Sequence, residues 1–446
     1  MKFKSKKFIL SSTLIGGSLL PLLAVSCQTV TEKSETKEKN EETLSENVVE
    51  STPNNENDNK VEENVAESGE SDESHEKTAE KAAEAGKSDE SREKSQQDAD
   101  KSEQKLKIAT WNIQTFGGER TVRQSPRYYA VLETLKHIDA DIYALQEIVK
   151  NGGDKKATNL AEDLNKFEET KTDNRNTWEI QTLLSENPNK KGQAEYFAFL
   201  YKSNKVSATN LRLFLDTENS IDFSRPPLLA DFQLLNSKDK FTLGTFHLDA
   251  PGAKKGKEEA SAEFSGQGEQ EVKEAIGLTK IFETFKAENA TGDLIIMGDS
   301  NIKDDHSEKI FQSDAYVNLN VKTGYRDFAN NLKNYRTTFS GQGWKENQGN
   351  NNYKNSYDKF LILDQGPTNV ELAQPEEYRV NIADAFLPSD KGGYLDKTLA
   401  SEYYIQVRGT EKYKDANSVP ISTLLSNFTD HAPAVIFYTY TISDNK

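Results

Sequence analysis

Ten polar side chains between positions 112 and 431 stand beside apolar runs: Asn112, Glu147, Glu195, Arg225, His247, Asp299, Asn301, Asp358, Asp430 and His431. Their types suit one kind of reaction. An imidazole titrates near neutral pH, so a histidine beside a carboxylate can take up and release a proton as a bond breaks. Carboxylate and amide oxygens hold a hard cation such as Mg2+. Amide and guanidinium groups steady a phosphate as charge builds on it. Two histidines, five carboxylates, two asparagines and no cysteine among them fit metal-assisted hydrolysis of a phosphoester. A serine mechanism does not fit, because Ser300 lies between Asp299 and Asn301 without a Gly-x-Ser-x-Gly elbow.

A site drawn from so many places needs elements that end at one rim. Leu294–Met297 is a short apolar run and predicts a buried strand. Gly298 is expected to turn the chain close to a ligand, leaving Asp299 and Asn301 at the strand's carboxyl end, where α/β sheets place their chemistry. Leu106–Ile113 alternates and predicts a strand ending at Asn112. Ser125 and Pro126 open a helix as N-cap and first residue, with Tyr128, Val131, Leu132, Leu135 and Ile138 on one face. Ile142–Leu145 is the next strand and delivers Glu147, so Asn112 and Glu147 sit at equivalent ends of neighbouring strands and offer oxygen to Mg2+. Glu195–Tyr201 predicts a strand turning at Ser203-Asn204 into a hairpin. Arg225-Pro226-Pro227 introduces Leu228–Leu235, and Phe241–His247 is a strand ending on a histidine. A helix is expected from Glu271 to Phe285. Asp358 begins a later strand, and Asp430-His431 precede the strand Ala434–Thr441.

These pieces, in this order, resemble the endonuclease/exonuclease/phosphatase superfamily, nearest to its deoxyribonuclease I-like members and the membrane nuclease lipoproteins of mycoplasmas. The resemblance rests on Ile108-Ala109-Thr110-Trp111-Asn112-Ile113, Leu145-Gln146-Glu147, Glu195-Tyr196-Phe197-Ala198-Phe199, Arg225-Pro226-Pro227, His247-Leu248-Asp249-Ala250-Pro251-Gly252, Gly298-Asp299-Ser300-Asn301, Tyr357-Asp358-Lys359 and Thr429-Asp430-His431-Ala432-Pro433. It implies an α/β (α+β) four-layer sandwich of two packed mixed β-sheets flanked by helices. It implies Glu147 as main metal ligand, assisted by Asn112, with Asp430 in a second metal site. His247 would be oriented by Glu195 and His431 by Asp358, as two proton-transfer pairs. Asp299 and Asn301 would position the attacking water and the phosphate, with Asn112 also contacting substrate, and Arg225 would grip a phosphate. The implied cofactor is Mg2+, with Ca2+ or Mn2+ as alternatives. The implied substrate is DNA, with RNA as a second. The chain departs from the deoxyribonuclease I pattern where Val149, with Lys150 next to it, replaces the expected arginine, where Gln193 replaces a groove-reading tyrosine, and in lacking disulfides.

Composition divides the chain. Residues 1–27 carry four lysines and no acids, 28–105 sum to −13, and the total of −17 leaves −8 for 106–446. The last figure excludes a broadly basic nucleic-acid clamp. A lysine-rich start, an apolar run and Ala24-Val25-Ser26-Cys27 resemble a bacterial lipoprotein signal. That assigns 1–27 to a signal peptide, Cys27 to lipidation and the protein to the outer face of the cell membrane. Two acyl chains give stable anchoring; an uncleaved transmembrane anchor is the alternative. Residues 28–105 hold no aromatic residue and are expected to be a disordered acidic linker, with 106–446 the catalytic domain. No protein partner is expected, and the protein should be a monomer. Cys27 is the only cysteine, which excludes internal disulfides and Cys-based zinc sites. His137 reads as a helix C-terminal residue and His306 as a loop residue. Tyr325-Arg326 and Tyr335-Arg336 read as core aromatics beside solvated charges, with nucleic-acid stacking as the alternative. Two other functions compete: a sphingomyelinase or inositol-phosphate phosphatase on the same fold, and a non-catalytic adhesin. The first lacks a Trp-Cys-Asp-Arg stretch at Tyr357-Asp358-Lys359, and the second would need a broken site.

Overall fold

The computed structural model describes residues 101–446 except 119–120, 191, 217–220, 238, 252–260, 289–291, 320–332, 366–368, 373–374, 410 and 444–446. Cys27, the leader 1–27, most of the 28–105 tract and the Tyr325-Arg326 pair lie outside the described residues. β1 (Lys101–Phe116) leads through α1 (Pro126–Ile138) to β2 (Ile142–Val149), and α2 (Gly153–Glu169) leads to β3 (Trp178–Ser185) and β4 (Glu195–Lys202). β5 (Val206–Leu213), β6 (Leu228–Leu234) and β7 (Lys240–His247) follow, then α3 (Glu269–Gly277), α4 (Thr279–Ala287) and β8 (Asp293–Asp299). The chain continues through α5 (Asp304–Ile310), β9 (Val317–Asn318), β10 (Asp358–Leu363), β11 (Asn369–Leu372), α6 (Pro375–Tyr378), α7 (Lys397–Arg408), α8 (Ile421–Ser426) and β12 (Ala434–Ser443).

One sheet runs in the order β11-β12-β1-β2-β4-β3 and the other β5-β6-β7-β8-β10-β9. Both are mixed: β1–β2 and β7–β8 are parallel, each joined through helices as a parallel pair requires, and the remaining neighbours are antiparallel. Strand alternation sorts side chains into layers. In β8, Ile295 and Met297 join the core between the sheets, with Phe360 and Ile362 of β10. Leu294 and Ile296 face the other way, into a cluster with Val272, Ile281 and Phe282 of α3 and α4. The first sheet packs Val131, Leu135, Leu160 and Leu164 of α1 and α2 on its own outer side. The expected arrangement, two mixed sheets between helices, is the one observed. Among the described residues no helix is long and apolar enough to cross a membrane.

Ser125 caps α1 as expected, its hydroxyl oxygen accepting from Tyr128 N at 3.2 Å. Other elements differ from expectation. β1 begins at Lys101, five residues inside the stretch assigned to the linker, because β12 pairs with it from Lys101↔Ser443 onward. The Glu195–Tyr201 strand does not fold into a hairpin: β4 and β5 lie in different sheets, and the chain crosses between them at Ser203-Asn204. The helix expected over 271–285 is two helices that meet at Leu278. His306 lies on α5 rather than in a loop. Tyr335 is buried edge-on against Tyr378, and Arg336 pairs with Asp304 at 2.9 Å, so this pair serves the fold and not base stacking.

Candidate active site

Sheet register builds the first row. His247, Asp299 and Asp358 are direct neighbours across β7, β8 and β10. Gly298, opposite Phe246, makes this possible. Its φ is 151°, and a Cβ there would stand 1.9 Å from the Phe246 carbonyl oxygen. The glycine therefore serves strand against strand at the site's floor, within β8, and not a turn toward a ligand.

The other sheet supplies Asn112 and Glu147. Gln146 ties the two sheets beneath them, its amide nitrogen donating to Thr110 Oγ1 at 3.0 Å and Thr245 Oγ1 at 2.7 Å. Glu147 lies in a bulge of β2, where the register shifts between Leu145 and Ile148. Its φ of 61° is in the left-handed region, which a side-chain-bearing residue enters at a cost. Gln114, Thr115 and Asn301 share this region at 43°, 47° and 54°. Strain of this kind persists where surrounding bonds hold it, and functional sites are where it gathers. Here Thr115 N donates to Glu147 Oε2 at 2.8 Å, and Glu147 N donates to Glu195 Oε1 at 3.2 Å.

The two histidines come together as mirror pairs. His247 Nδ1 lies 3.1 Å from both Glu195 oxygens, and His431 Nδ1 lies 2.9 Å from Asp358 Oδ2. Both rings turn Nε2 to one carboxylate oxygen: Asp299 Oδ2 is 3.7 Å from His247 and 3.4 Å from His431. Asn112 Nδ2 donates to the same oxygen at 3.0 Å and to Glu147 Oε1 at 2.8 Å. Asp299 Oδ1 accepts from Asn301 N at 2.9 Å. Loops hold the His431 end to β1, with Trp111 Nε1 donating to His431 O at 2.9 Å and Thr429 Oγ1 to Asn112 O at 3.0 Å.

Charge follows geometry. Burial opposes the charged ring of His431, but the charges of Asp299 and Asp358 outweigh it and raise its pKa well above 6.5. Burial and the Arg225 charge oppose His247, and Glu195 and Asp299 overcome them to raise it. Burial likewise works against the Glu195 carboxylate, yet the His247 and Arg225 charges hold it below the ordinary 4.5. A raised histidine adds stability that is full below its unfolded pKa and fades as pH climbs through the folded one; a depressed carboxylate adds stability that fades in acid. Both contributions are present between about pH 4.5 and 6.5. In EDTA, the melting-temperature gap between wild type and His431→Ala is expected to be widest below pH 6.5 and to narrow at alkaline pH. A gap constant from acid to alkaline pH would contradict this.

One expected role changes. Arg225 does not reach out to phosphate: its guanidinium is buried, Nε donates to His247 O at 2.7 Å and Nη2 to Leu248 O, with Glu195 at 3.9 Å. It braces the backbone that carries His247. Asn112 shows the carboxylates its nitrogen, and its oxygen accepts from Gln114 N at 3.0 Å, so it braces Glu147 and Asp299. Asn301 Nδ2 donates to Leu248 O at 3.0 Å, securing the loop beside His247. Ser300 is no nucleophile, its hydroxyl donating to Tyr357 O at 2.7 Å. Gln193 is tied to Asp249 at 2.7 Å, and Lys150 pairs with Glu186.

Sequence inspection missed Glu274, a buried acid on α3 whose oxygens accept from Ser224 N and from Asp249 N at 2.5 and 2.7 Å. It fixes the loops next to Arg225 and His247. Its one signal was a carboxylate on the apolar side of a helix.

The donors suit a hard cation. Mg2+ takes one or two carboxylates and keeps several waters. Glu147 is half-buried, its side chain 22% exposed. Asp430 Oδ1 is buried without a partner. Burial raises the pKa of Asp430, His431 opposes, and the Glu147 and Asp299 charges add to the rise. Glu147 and Asp430 fit as a partial ligand set for such an ion. Among the described residues no three His, Cys, Asp or Glu side chains form a ready cage.

No family model matches the sequence. An uncharacterised Mycoplasma pneumoniae protein is 26% identical over 221 residues, covering 49% of this chain and 38% of that protein, well under two thirds of its length. Among solved structures, an endonuclease/exonuclease/phosphatase family protein from Bacteroides thetaiotaomicron is similar at 14% identity, covering 76% of this chain and 99% of its own, with a TM-score of 0.42. TDP2 of D. rerio in complex with a single-strand DNA product is similar at 14% identity, covering 75% and 99%, with a TM-score of 0.40.

Proposed function

We propose that this protein is a divalent-metal-dependent phosphodiesterase that cuts DNA, and RNA as a second substrate, with little sequence preference, held by lipid at Cys27 on the outer face of the cell membrane, where it scavenges nucleotides as a monomer. One observation carries the catalytic part: two histidines, each backed by its own buried carboxylate, point their free nitrogens at the same Asp299 oxygen. Hydrolysis needs one proton taken from water and one given to the leaving oxygen, and two rings facing one point can divide these tasks. Glu195 and Asp358 hold each ring by Nδ1, so Nε2 is the working nitrogen. Asp299, with Asn301 N on its other oxygen, stands where it can orient water between the rings. Glu147 and Asp430 would hold Mg2+, which offsets charge on the phosphate. The anchor rests on the lysine-rich start and Ala24-Val25-Ser26-Cys27.

Cells making the full chain, supplied with circular and linear DNA, test the whole proposal. Cutting is expected in the membrane fraction, stopped by EDTA and restored by Mg2+, with a labelled fatty acid incorporated into the wild type and not into Cys27→Ser. Cutting that persists in EDTA overturns the metal role. A wild type that takes up no labelled fatty acid overturns the lipid anchor, and lipid release in place of DNA cutting gives the site to a sphingomyelinase.

A further inference from the structure

With Arg225 committed to carbonyl oxygens, a substrate phosphate needs another cation. A cavity of about 390 Å3 opens beside Glu147, lined by Thr115, Arg127, Val149, Arg408 and Asn427 among others. Thr115 belongs to both places: its N–H donates to the Glu147 carboxylate and its Oγ1 accepts from Arg127 Nη1 at 2.8 Å. Arg127 is held rigidly. Nε donates to Asn427 O at 3.2 Å, Nη1 also to Gln114 O, and Nη2 to Gln114 Oε1 at 3.3 Å, which leaves one Nη2 hydrogen without a partner among the described residues. Arg408 ends α7 and is exposed. Its one side-chain hydrogen bond among the described residues runs from Nη2 to Asn427 Oδ1 at 3.2 Å, toward the cavity.

We propose that this cavity holds the phosphate of the nucleotide next to the bond being cut, gripped between Arg127 and Arg408. The proposal rests on the nuclease reading of the neighbouring site. Two guanidiniums lining one pocket, with no carboxylate within ion-pairing distance among the described residues, are matched by an anion that accepts from both. Burial lowers the Arg127 pKa and the Arg408 charge adds to that, against Asp430 and Glu147; an anion between the two arginines would relieve their repulsion. The volume is ample for a nucleotide's phosphate and sugar. In a domain with a net charge of −8 over residues 106–446, this pair is a local positive landing point.

The test is Arg408→Glu in the full chain. Arg408 is exposed with a single side-chain hydrogen bond among the described residues, so the fold should survive, and Arg408→Lys keeps the charge as a second variant. In EDTA, a short fluorescent single strand should bind Arg408→Glu about tenfold more weakly than wild type. The slope of log affinity against log salt should become shallower by about 0.7, and Arg408→Lys should recover most of the affinity. Inorganic phosphate alone should raise the melting temperature of wild type and not of Arg408→Glu. Equal strand affinity and equal slope overturn the subsite while a wild type that still cuts DNA keeps its function. A lost phosphate response with unchanged strand binding overturns it too, making the cavity a site for free phosphate. A wild type that neither binds nor cuts nucleic acid removes the nuclease reading, and the subsite with it.

Discussion

His431→Ala is expected to slow DNA hydrolysis by about 10²–10⁴-fold, and His247→Ala to do the same. Each ring faces Asp299 from its own side, and each is held at Nδ1 by its own carboxylate, at 2.9 Å for His431 and 3.1 Å for His247. Removing either ring removes one of two proton transfers. Groups that act on one step do not add, so the double variant should be little worse than the poorer single. Rates are read on circular DNA with Mg2+ in excess, and circular dichroism confirms that each variant is folded. Near-wild-type cutting by both single variants would remove the histidines from the mechanism.

Gly298→Ala should damage the protein more broadly. A methyl group there meets the Phe246 carbonyl oxygen at 1.9 Å, backbone that cannot swing aside, and it must also accept a φ of 151°. Relief requires β7 and β8 to part at the row that carries His247 and Asp299. The expected cost is about 3 kcal/mol or more, read as a shift in urea midpoint, together with loss of cutting. A variant as stable and active as wild type would mean that the two strands are not packed at this point as described.

Much of the site was legible because its residues end apolar runs. Asp299 after Leu294–Met297, His247 after Phe241–Phe246 and Asp358 before Lys359–Leu363 follow from period and punctuation, and register then aligns them. Other features were not legible for physical reasons. Lys101–Lys105 is polar and reads as linker; it is a strand only because β12 presents backbone to it. β3 is an edge strand, half-exposed along most of its length, so it lacks the alternation that marks a strand. The left-handed turn of Glu147 depends on Thr115 N and Glu195, distant partners that leave no local sign. Arg225 stands where a phosphate-binding residue was expected, and only three-dimensional contact shows that carbonyl oxygens hold it. Arg127 and Arg408 are far apart in sequence and belong to no motif.

Among the described residues the last strand to be made is β12, and it sits inside its sheet, between β11 and β1. A ribosome must therefore have released the chain as far as β12 before this sheet can close. Until then β1 keeps one open edge, and the Trp111 indole has no His431 carbonyl to bind. A chain made only as far as β11 thus lacks His431, and the cluster around Asp299 stays incomplete.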